Sequence, residues 1–249
     1  MATETVENYV KAIYALRGRC EGPNVALGDV AAAVGVTPGT ATTMVKKLAR
    51  DRLAKYERYG GVALTARGEK MALAVLRRHR LIETFLVRTL GMDWSEVHDE
   101  AERLEHAVSD HLLEKLDDFL GHPAVDPHGD PIPGEDGRLR EAALVAVARC
   151  KPGARVRLAR VLDQRADFLR FLDRYQIRIG AVLTLERAEP GAGTVTVVVG
   201  GAGGKEGGGA GTRGRHPPPP RAPPRGKPRQ PRHWPRQRHE AIALGPINR

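Results

Sequence analysis

A mainly α-helical fold that closes on a small β-barrel is what this 249-residue sequence predicts, from three observations. Apolar residues recur at helical spacing in five segments between residues 5 and 120. Alternating apolar residues, the mark of strands, appear mainly between 154 and 200. Beyond Gly200 neither period continues, and glycine and proline take over.

The first segment, TVENYVKAIYAL, places Val6, Tyr9, Val10, Ile13 and Leu16 on one face. Thr5 is the expected N-cap and Glu7 sits in the first turn. In VALGDVAAAVGVTPGTATTMVKKLARDRL, Leu27, Val30, Ala31 and Val34 line a short helix that Gly35 ends, and Val36 plugs the turn. Thr37 caps a second helix with Pro38 in its first turn. Val45 and Leu48 face inward, leaving Thr40, Thr42, Thr43, Lys46 and Lys47 outward. Two short helices around a glycine turn form a helix-turn-helix. Its threonines suit base edges, and Lys46, Lys47 and Arg50 suit phosphates. LAKYERYGGVALT then reads as two strands around Gly60-Gly61, completing a winged helix with Lys55, Arg58 and Arg67 near the DNA backbone.

A long helix follows to about Leu90, where Gly91 breaks it. Asp93 or Ser95 is expected to cap the next helix, running to about Leu120 with Val97, Ala101, Leu104, Val108, Leu112 and Leu116 inward. His79 and Glu83, His98 and Glu102, and Glu102 and His106 each lie four apart, and Glu105 three after Glu102. Helical spacing stacks such pairs, and imidazole and carboxylate from neighbouring helices are a recurring divalent-metal donor set. Two amphipathic helices beyond a winged helix imply a dimer.

Residues 121–141 form a Pro/Gly/Asp-rich connector. ARVRLARVLDQ reads as a strand, DFLRFLDRY as a short helix and IGAVLTLERAEPGAGTVTVVVG as a hairpin around Pro190-Gly191. Together they suggest a small barrel that lacks a closing strand after Val199. The tail is expected to be disordered and dispensable: either a basic arm with sequence-independent DNA affinity or, preferred here, an out-of-frame translation.

Charge and composition exclude several classes. The formal charge is +10, yet residues 201–249 hold 11 basic and 2 acidic residues, leaving 29 and 28 in 1–200. The excess belongs to the tail. Two lone cysteines, Cys20 and Cys150, exclude a disulfide framework and a thiolate zinc site. No apolar run reaches membrane-spanning length and MATETVENYV is not an export signal, so a cytoplasmic protein without membrane partners is expected.

The segments ENYVKAIYAL, VTPGTATTMVKKLARDRL, RRHRLIETFL, HDEAERLEHAVSD and GDPIPG stand in an order and spacing that resemble the metal-dependent repressors of the diphtheria toxin repressor and manganese transport regulator family, over about residues 4–200. The resemblance implies a winged-helix domain (1–70), a helical metal-binding and dimerisation domain (71–140), an SH3-like domain (151–200) and the tail (201–249). It implies a primary metal site at Asn8, Glu102, Glu105 and His106, and an ancillary one at His79, Glu83 and His98, with Gln164 and Asp167 from the SH3-like domain. Glu102 stands where the iron-responsive branch has Cys, and Asn8 where it has Met. Arg52 stands where the family usually has Gly. Hard oxygen donors with imidazole suit Mn²⁺ or Fe²⁺. The function implied is a homodimeric repressor of double-stranded operator DNA that governs metal-ion homeostasis, with Thr37, Pro38, Thr40, Thr42, Thr43, Lys46, Lys47, Arg50 and Arg58 at the DNA and no small-molecule substrate. A metal-independent winged-helix regulator and a carboxylate-histidine metalloenzyme are the alternatives; neither HExxH nor a nucleophile beside the cluster supports the enzyme.

Overall fold

The computed structural model describes residues 3–18, 20, 22–189, 194–200, 232–233 and 242–245. These fall into two units, 1–141 and 142–249.

The first unit begins with α1 (Glu4–Arg17), whose N-cap is Thr3 and not Thr5. Val6, Tyr9, Val10 and Ile13 are buried as the spacing requires. They pack with Val30 and Ala31 of α2 (Leu27–Ala33) and with Ala41, Val45 and Leu48 of α3 (Pro38–Arg50). Thr37 caps α3, its hydroxyl accepting from the Thr40 amide at 3.3 Å. The wing is an antiparallel pair, β1 (Ala54–Glu57) and β2 (Gly61–Leu64), with Tyr56 opposite Val62. Its turn differs from expectation in one respect. The left-handed residue is Tyr59 (φ 68°), while Gly61 (φ 90°) already belongs to β2.

Wing and helix meet where backbones nearly touch. A side chain at Gly68 would place its Cβ 2.0 Å from the Leu53 carbonyl oxygen, so only glycine fits there. Gly68 lies in the first turn of α4 (Ala66–Leu90), which Thr65 caps. Gly91 ends α4 in the left-handed conformation, as expected.

The single helix expected over 97–120 is two helices, α5 (Val97–Leu104) and α6 (Asp110–Leu120). Ser109 explains the break: its hydroxyl accepts from the Leu112 amide at 3.2 Å and starts a new helix. The N-cap of α5 is Glu96; Asp93 instead accepts the Ser95 amide in a local turn. The break also re-aims the apolar stripe. Val97 and Ala101 are buried, but Leu104 and Leu112 are exposed, and Leu113 takes the inward place on α6. It joins Leu81 of α4 and Ile132 of the following loop in one cluster. That loop, read as a connector, is part of the fold: Val125 bridges Pro131, and Asp126, His128 and Asp130 are buried.

Among the described residues, the second unit is a six-stranded antiparallel sheet with one α-helix. β3 (Val145–Ala146) leads through a 3-10 turn (Val147–Arg149) to β4 (Arg155–Val161), α7 (Ala166–Arg174), β5 (Val182–Glu189) and β6 (Thr194–Val199). Phe168, Leu169 and Leu172 of α7 are buried, as are Leu158, Leu183, Leu185, Val195 and Val197 of the strands. The β5–β6 hairpin forms as expected, with Glu189 opposite Thr194; its turn at Pro190-Gly191 lies outside the described residues. The expectation that no strand follows Val199 needs correction. β7 (Arg232–His233) pairs with β6, and β8 (Ile242–Gly245) lies between β3 and β4, with Leu244 opposite Leu158. The other residues of 201–249, expected to be disordered, lie outside the described set.

Candidate metal centre and DNA-binding face

Three elements of the first unit converge on one polar cluster: α1, the middle of α4, and α5 with the turn behind it. His79 and Glu83, one turn apart on α4, are both buried, with His79 Nε2 3.0 Å from Glu83 Oε1. His98, at the start of α5, brings Nδ1 to 3.1 Å from His79 Nε2. Glu105, wholly buried, receives His79 Nδ1 on Oε2 at 2.6 Å. His79, Glu83 and His98 thus face one another, as do His79, Glu102 and Glu105, with donor atoms within 4.8 Å in each group.

His106 and Glu102 do not share a helix, because α5 ends at Leu104. The bend turns His106 toward α1, where its Nε2 lies 2.8 Å from Asn8 Oδ1 and 3.3 Å from Glu105 Oε1. Its Nδ1 lies 2.6 Å from Glu7 Oε2, and Arg78 donates to both Glu7 oxygens. The Glu7 carboxylate behind Nδ1 orients the ring so that Nε2 points toward Asn8 and Glu105, as second partners orient metal-binding histidines.

Sequence reasoning missed three participants. Glu7 and Lys11 carry no signal beyond a polar helix face. His128 lies in the loop read as a connector. Its ring stacks on Trp94 (5.8 Å between centroids), and its Nε2 lies 2.8 Å from the Trp94 carbonyl. Its buried Nδ1 has no hydrogen-bond partner and faces Glu83 Oε2 at 3.7 Å. Glu83, Asp126 and His128 form a third group of converging donors, all buried. The three groups share His79 or Glu83, so the donors are continuous.

The electrostatics follow from this burial. Desolvation opposes charge on His79, but the Glu105 and Glu83 carboxylates on its two nitrogens prevail and raise its pKa to about 9. Burial likewise opposes ionisation of Glu83, yet His128, His79 and His98 hold it well below the ordinary value. Glu102 is lowered against its own desolvation by Lys11. Asp126, buried beside Glu83 and Asp130, is pushed up to about 7. Buried oxygens and imidazoles without thiolates fit a hard or borderline divalent ion.

Gln164 follows β4 and Asp167 lies in the first turn of α7, half-buried and exposed respectively, both in the second unit.

On α3 the outward set stands as the spacing required. Thr40, Thr43, Lys46 and Arg50 are exposed, and Thr42 and Lys47 half-buried. A shallow depression is lined by Thr43, Lys46, Ala49, Arg50 and Tyr56. The Thr42 and Thr43 hydroxyls donate to the carbonyls of Pro38 and Gly39. They therefore present methyls and acceptor lone pairs, and no free proton, to a groove. Arg58 lies over the Tyr59 ring (5.2 Å) at the exposed wing tip, whereas Arg67 donates to the Asp51 carbonyl.

A winged helix with a basic free face, built onto a buried His/Glu cluster, defines a metal-responsive DNA-binding regulator. Comparison with known proteins agrees. Residues 1–62 match the model of the iron dependent repressor N-terminal DNA binding domain, 65–134 that of its metal binding and dimerisation domain, and 145–203 that of the FeoA domain. The iron-dependent repressor IdeR of Mycobacterium leprae is 30% identical over 208 residues, 79% of this chain and 89% of that protein. The HTH-type transcriptional regulator MntR of Bacillus pumilus is 35% identical over 120 residues, 48% of this chain and 81% of that one. A manganese-dependent transcriptional repressor solved in complex with manganese superposes with a TM-score of 0.79 at 33% identity, covering 97% of this chain and 100% of its own. The chain belongs to the family of metal-dependent transcriptional repressors that includes the diphtheria toxin repressor, IdeR and MntR. Membership favours the metal-dependent repressor over the metalloenzyme and the metal-independent regulator.

Proposed function

We propose that Asn8, Glu102, Glu105 and His106 hold Mn²⁺ or Fe²⁺, and that His79, Glu83 and His98 form an adjoining site. The support is the hard donor set, together with relatives named as iron- and manganese-dependent repressors. A bound ion would supply a polyvalent link among donors on α1, α4 and the turn after α5.

The observation that carries the reading is the contact of His106 with Asn8 and Glu7, 98 and 99 residues away in sequence. The opposite face of α1 (Val6, Tyr9, Val10 and Ile13) packs into the winged-helix core with Val45 and Leu48 of α3. Whatever holds α1 to His106 and Glu105 therefore holds α3 in a defined direction. Binding selects that arrangement from those the free protein samples.

In a homodimer, two α3 helices would enter successive major grooves of double-stranded operator DNA, about 34 Å apart. Thr37, Pro38, Thr40, Thr42 and Thr43 meet bases, and Lys46, Lys47, Arg50 and Arg58 hold phosphates. A dimer is favoured by the exposed Leu90, Leu104, Leu112 and Phe119 of the helical region. No helix among the described residues is long and apolar enough to cross a membrane. We place the protein in the cytoplasm as a regulator without catalytic activity. The test is DNA binding by the full chain to duplexes selected from a random pool on the Mn²⁺-loaded protein. His106→Ala should abolish metal-stimulated binding and leave the fold intact. Binding by His106→Ala that still requires Mn²⁺ overturns the assignment.

A further inference from the structure

Lys11 stands where a metal ion would be expected. Its side chain, only 13% exposed, leaves α1 and puts its ammonium 2.5 Å from Glu102 Oε1 and 2.6 Å from Glu105 Oε1. These are two of the oxygens assigned above to the ion, so the role of Lys11 rests on that assignment. Glu105 is fully buried, and burying a carboxylate is costly without cationic partners. Lys11 is one of them, and His79, on the other oxygen, is the second.

We infer that Lys11 is a tethered competitor for metal and sets the concentration at which the repressor responds. An ammonium and a divalent ion cannot both sit between Glu102 Oε1 and Glu105 Oε1, because two cations at that separation repel and share no further donors. Entry of an ion requires the lysine to leave, and its four-carbon stem on the α1 surface lets the charged end reach solvent. No covalent bond changes: one ionic contact is exchanged for another. A tethered cation is always present, so the site answers only to a ligand that displaces it, which a divalent ion does and a monovalent one does not. Lys11 and Asn8 leave the same helix three residues apart, so the exchange would release the hold of Lys11 on Glu105 and keep the contact of α1 with His106 through Asn8. If the ammonium holds the site about 90% of the time, apparent affinity is about tenfold below intrinsic.

The test uses the full chain and Mn²⁺ alone. Lys11→Met keeps the apolar stem and removes the charge. Titration calorimetry should show Mn²⁺ binding about tenfold or more tighter than in the wild type. Lys11→Arg, which keeps the charge, should not reproduce the gain. Unchanged or weaker Mn²⁺ binding by Lys11→Met overturns the inference, because it makes Lys11 a supporting partner of the loaded site. A readout on the unmodified chain guards against a variant that does not fold. Amine-directed labelling followed by peptide mass spectrometry should find Lys11 protected without metal and modified when Mn²⁺ saturates. Equal or greater protection with Mn²⁺ overturns the inference too. Glu102→Gln separates the two levels: if it leaves Mn²⁺ affinity unchanged, the ligand assignment has failed, whatever Lys11 does.

Discussion

If His79 ligates the ion as proposed, metal uptake would release a proton. In the metal-free protein its pKa is raised to about 9, because the carboxylates of Glu105 (2.6 Å) and Glu83 (3.0 Å) outweigh the burial that opposes its charge. At pH 7, two units lower, about 99% of the rings carry the extra proton. A nitrogen that ligates metal must be bare, so an ion that takes His79 displaces close to one proton. A histidine at the ordinary 6.5 would release only about a quarter of one. Removing that proton at pH 7 costs roughly a hundredfold in affinity. Apparent affinity should rise about tenfold per pH unit between about 6.5 and 9 and level off above. Calorimetry at pH 7 in buffers of different ionisation enthalpy reads the protons released as a slope. A slope near a quarter, with flat affinity from pH 7 to 8, would refute the placement of His79 in the site. Stability of the metal-free protein carries the opposite sign. The folded-state pKa lies above the unfolded one, so the stabilisation is full below about pH 6.5 and is lost as pH rises through about 9. Without metal the melting temperature should fall over that window, and the Mn²⁺-loaded protein should lack the fall.

Replacing Glu102 by Cys puts a soft donor among hard ones, and activation should move toward Zn²⁺ and Co²⁺ relative to Mn²⁺; unchanged relative activation shows that position 102 does not discriminate. Lys47→Ala should weaken binding to all duplexes and make the salt dependence shallower by about one unit, whereas Thr43→Ala should alter preference at one or two base pairs, each worth about 1–3 kcal/mol. If Lys47→Ala instead changes sequence preference and leaves the salt slope alone, the roles are reversed. Arg52 sits in the left-handed region (φ 57°), which costs an L residue about 1–2 kcal/mol. Glycine's extra unfolded freedom returns about half of that, so Arg52→Gly should gain about 0.5–1 kcal/mol, read as a higher urea midpoint; an unchanged or lower midpoint would show that the backbone there is unstrained.

What could be read from the sequence divides along a physical line. Local spacing placed α1 to α4 and the wing, because each buries a periodic face, and Thr37, Thr65 and Gly91 mark boundaries of α3 and α4. It failed between Leu104 and Asp110, where Val108 and Leu112 extend a helical stripe well enough to hide the cap at Ser109. It failed again at β8, whose four residues find their partners on β3 and β4 across a long stretch without pattern. In the site, Glu83, Glu102, Glu105 and His106 stood out through spacing and family position. His128 did not, since a loop of prolines and glycines has no period to mark an inward residue. Lys11 resembled any lysine on an amphipathic helix, and only the fold shows that its side chain is 13% exposed and its ammonium faces two carboxylates.

Those two kinds of residue meet in the charge of the site. The donors belong to local patterns, but their ionisation belongs to contacts between α1, α4 and the turn after α5. Glu105 has a cationic partner on each oxygen, the ammonium of Lys11 and the imidazolium of His79. Lys11 also pairs Glu102, so the proposed primary site sets two carboxylates against one ammonium. A divalent ion in place of that ammonium would balance both carboxylates, whereas loss of the His79 proton would accompany filling of the adjoining site. A trivalent ion would leave one uncompensated positive charge, and a monovalent ion one uncompensated negative charge, in surroundings where either is expensive. Selection by valence would then follow from the two carboxylates that the ammonium bridges, and the choice among divalent ions is left to donor chemistry at Glu102 and Asn8. On this account Lys11→Met should relax the first kind of selection and leave the second in place. The variant should bind Mn²⁺ more tightly than the wild type while preserving the wild-type ranking of Mn²⁺ against Zn²⁺ and Co²⁺. A changed ranking would mean that Lys11 shapes the donor geometry as well as the charge.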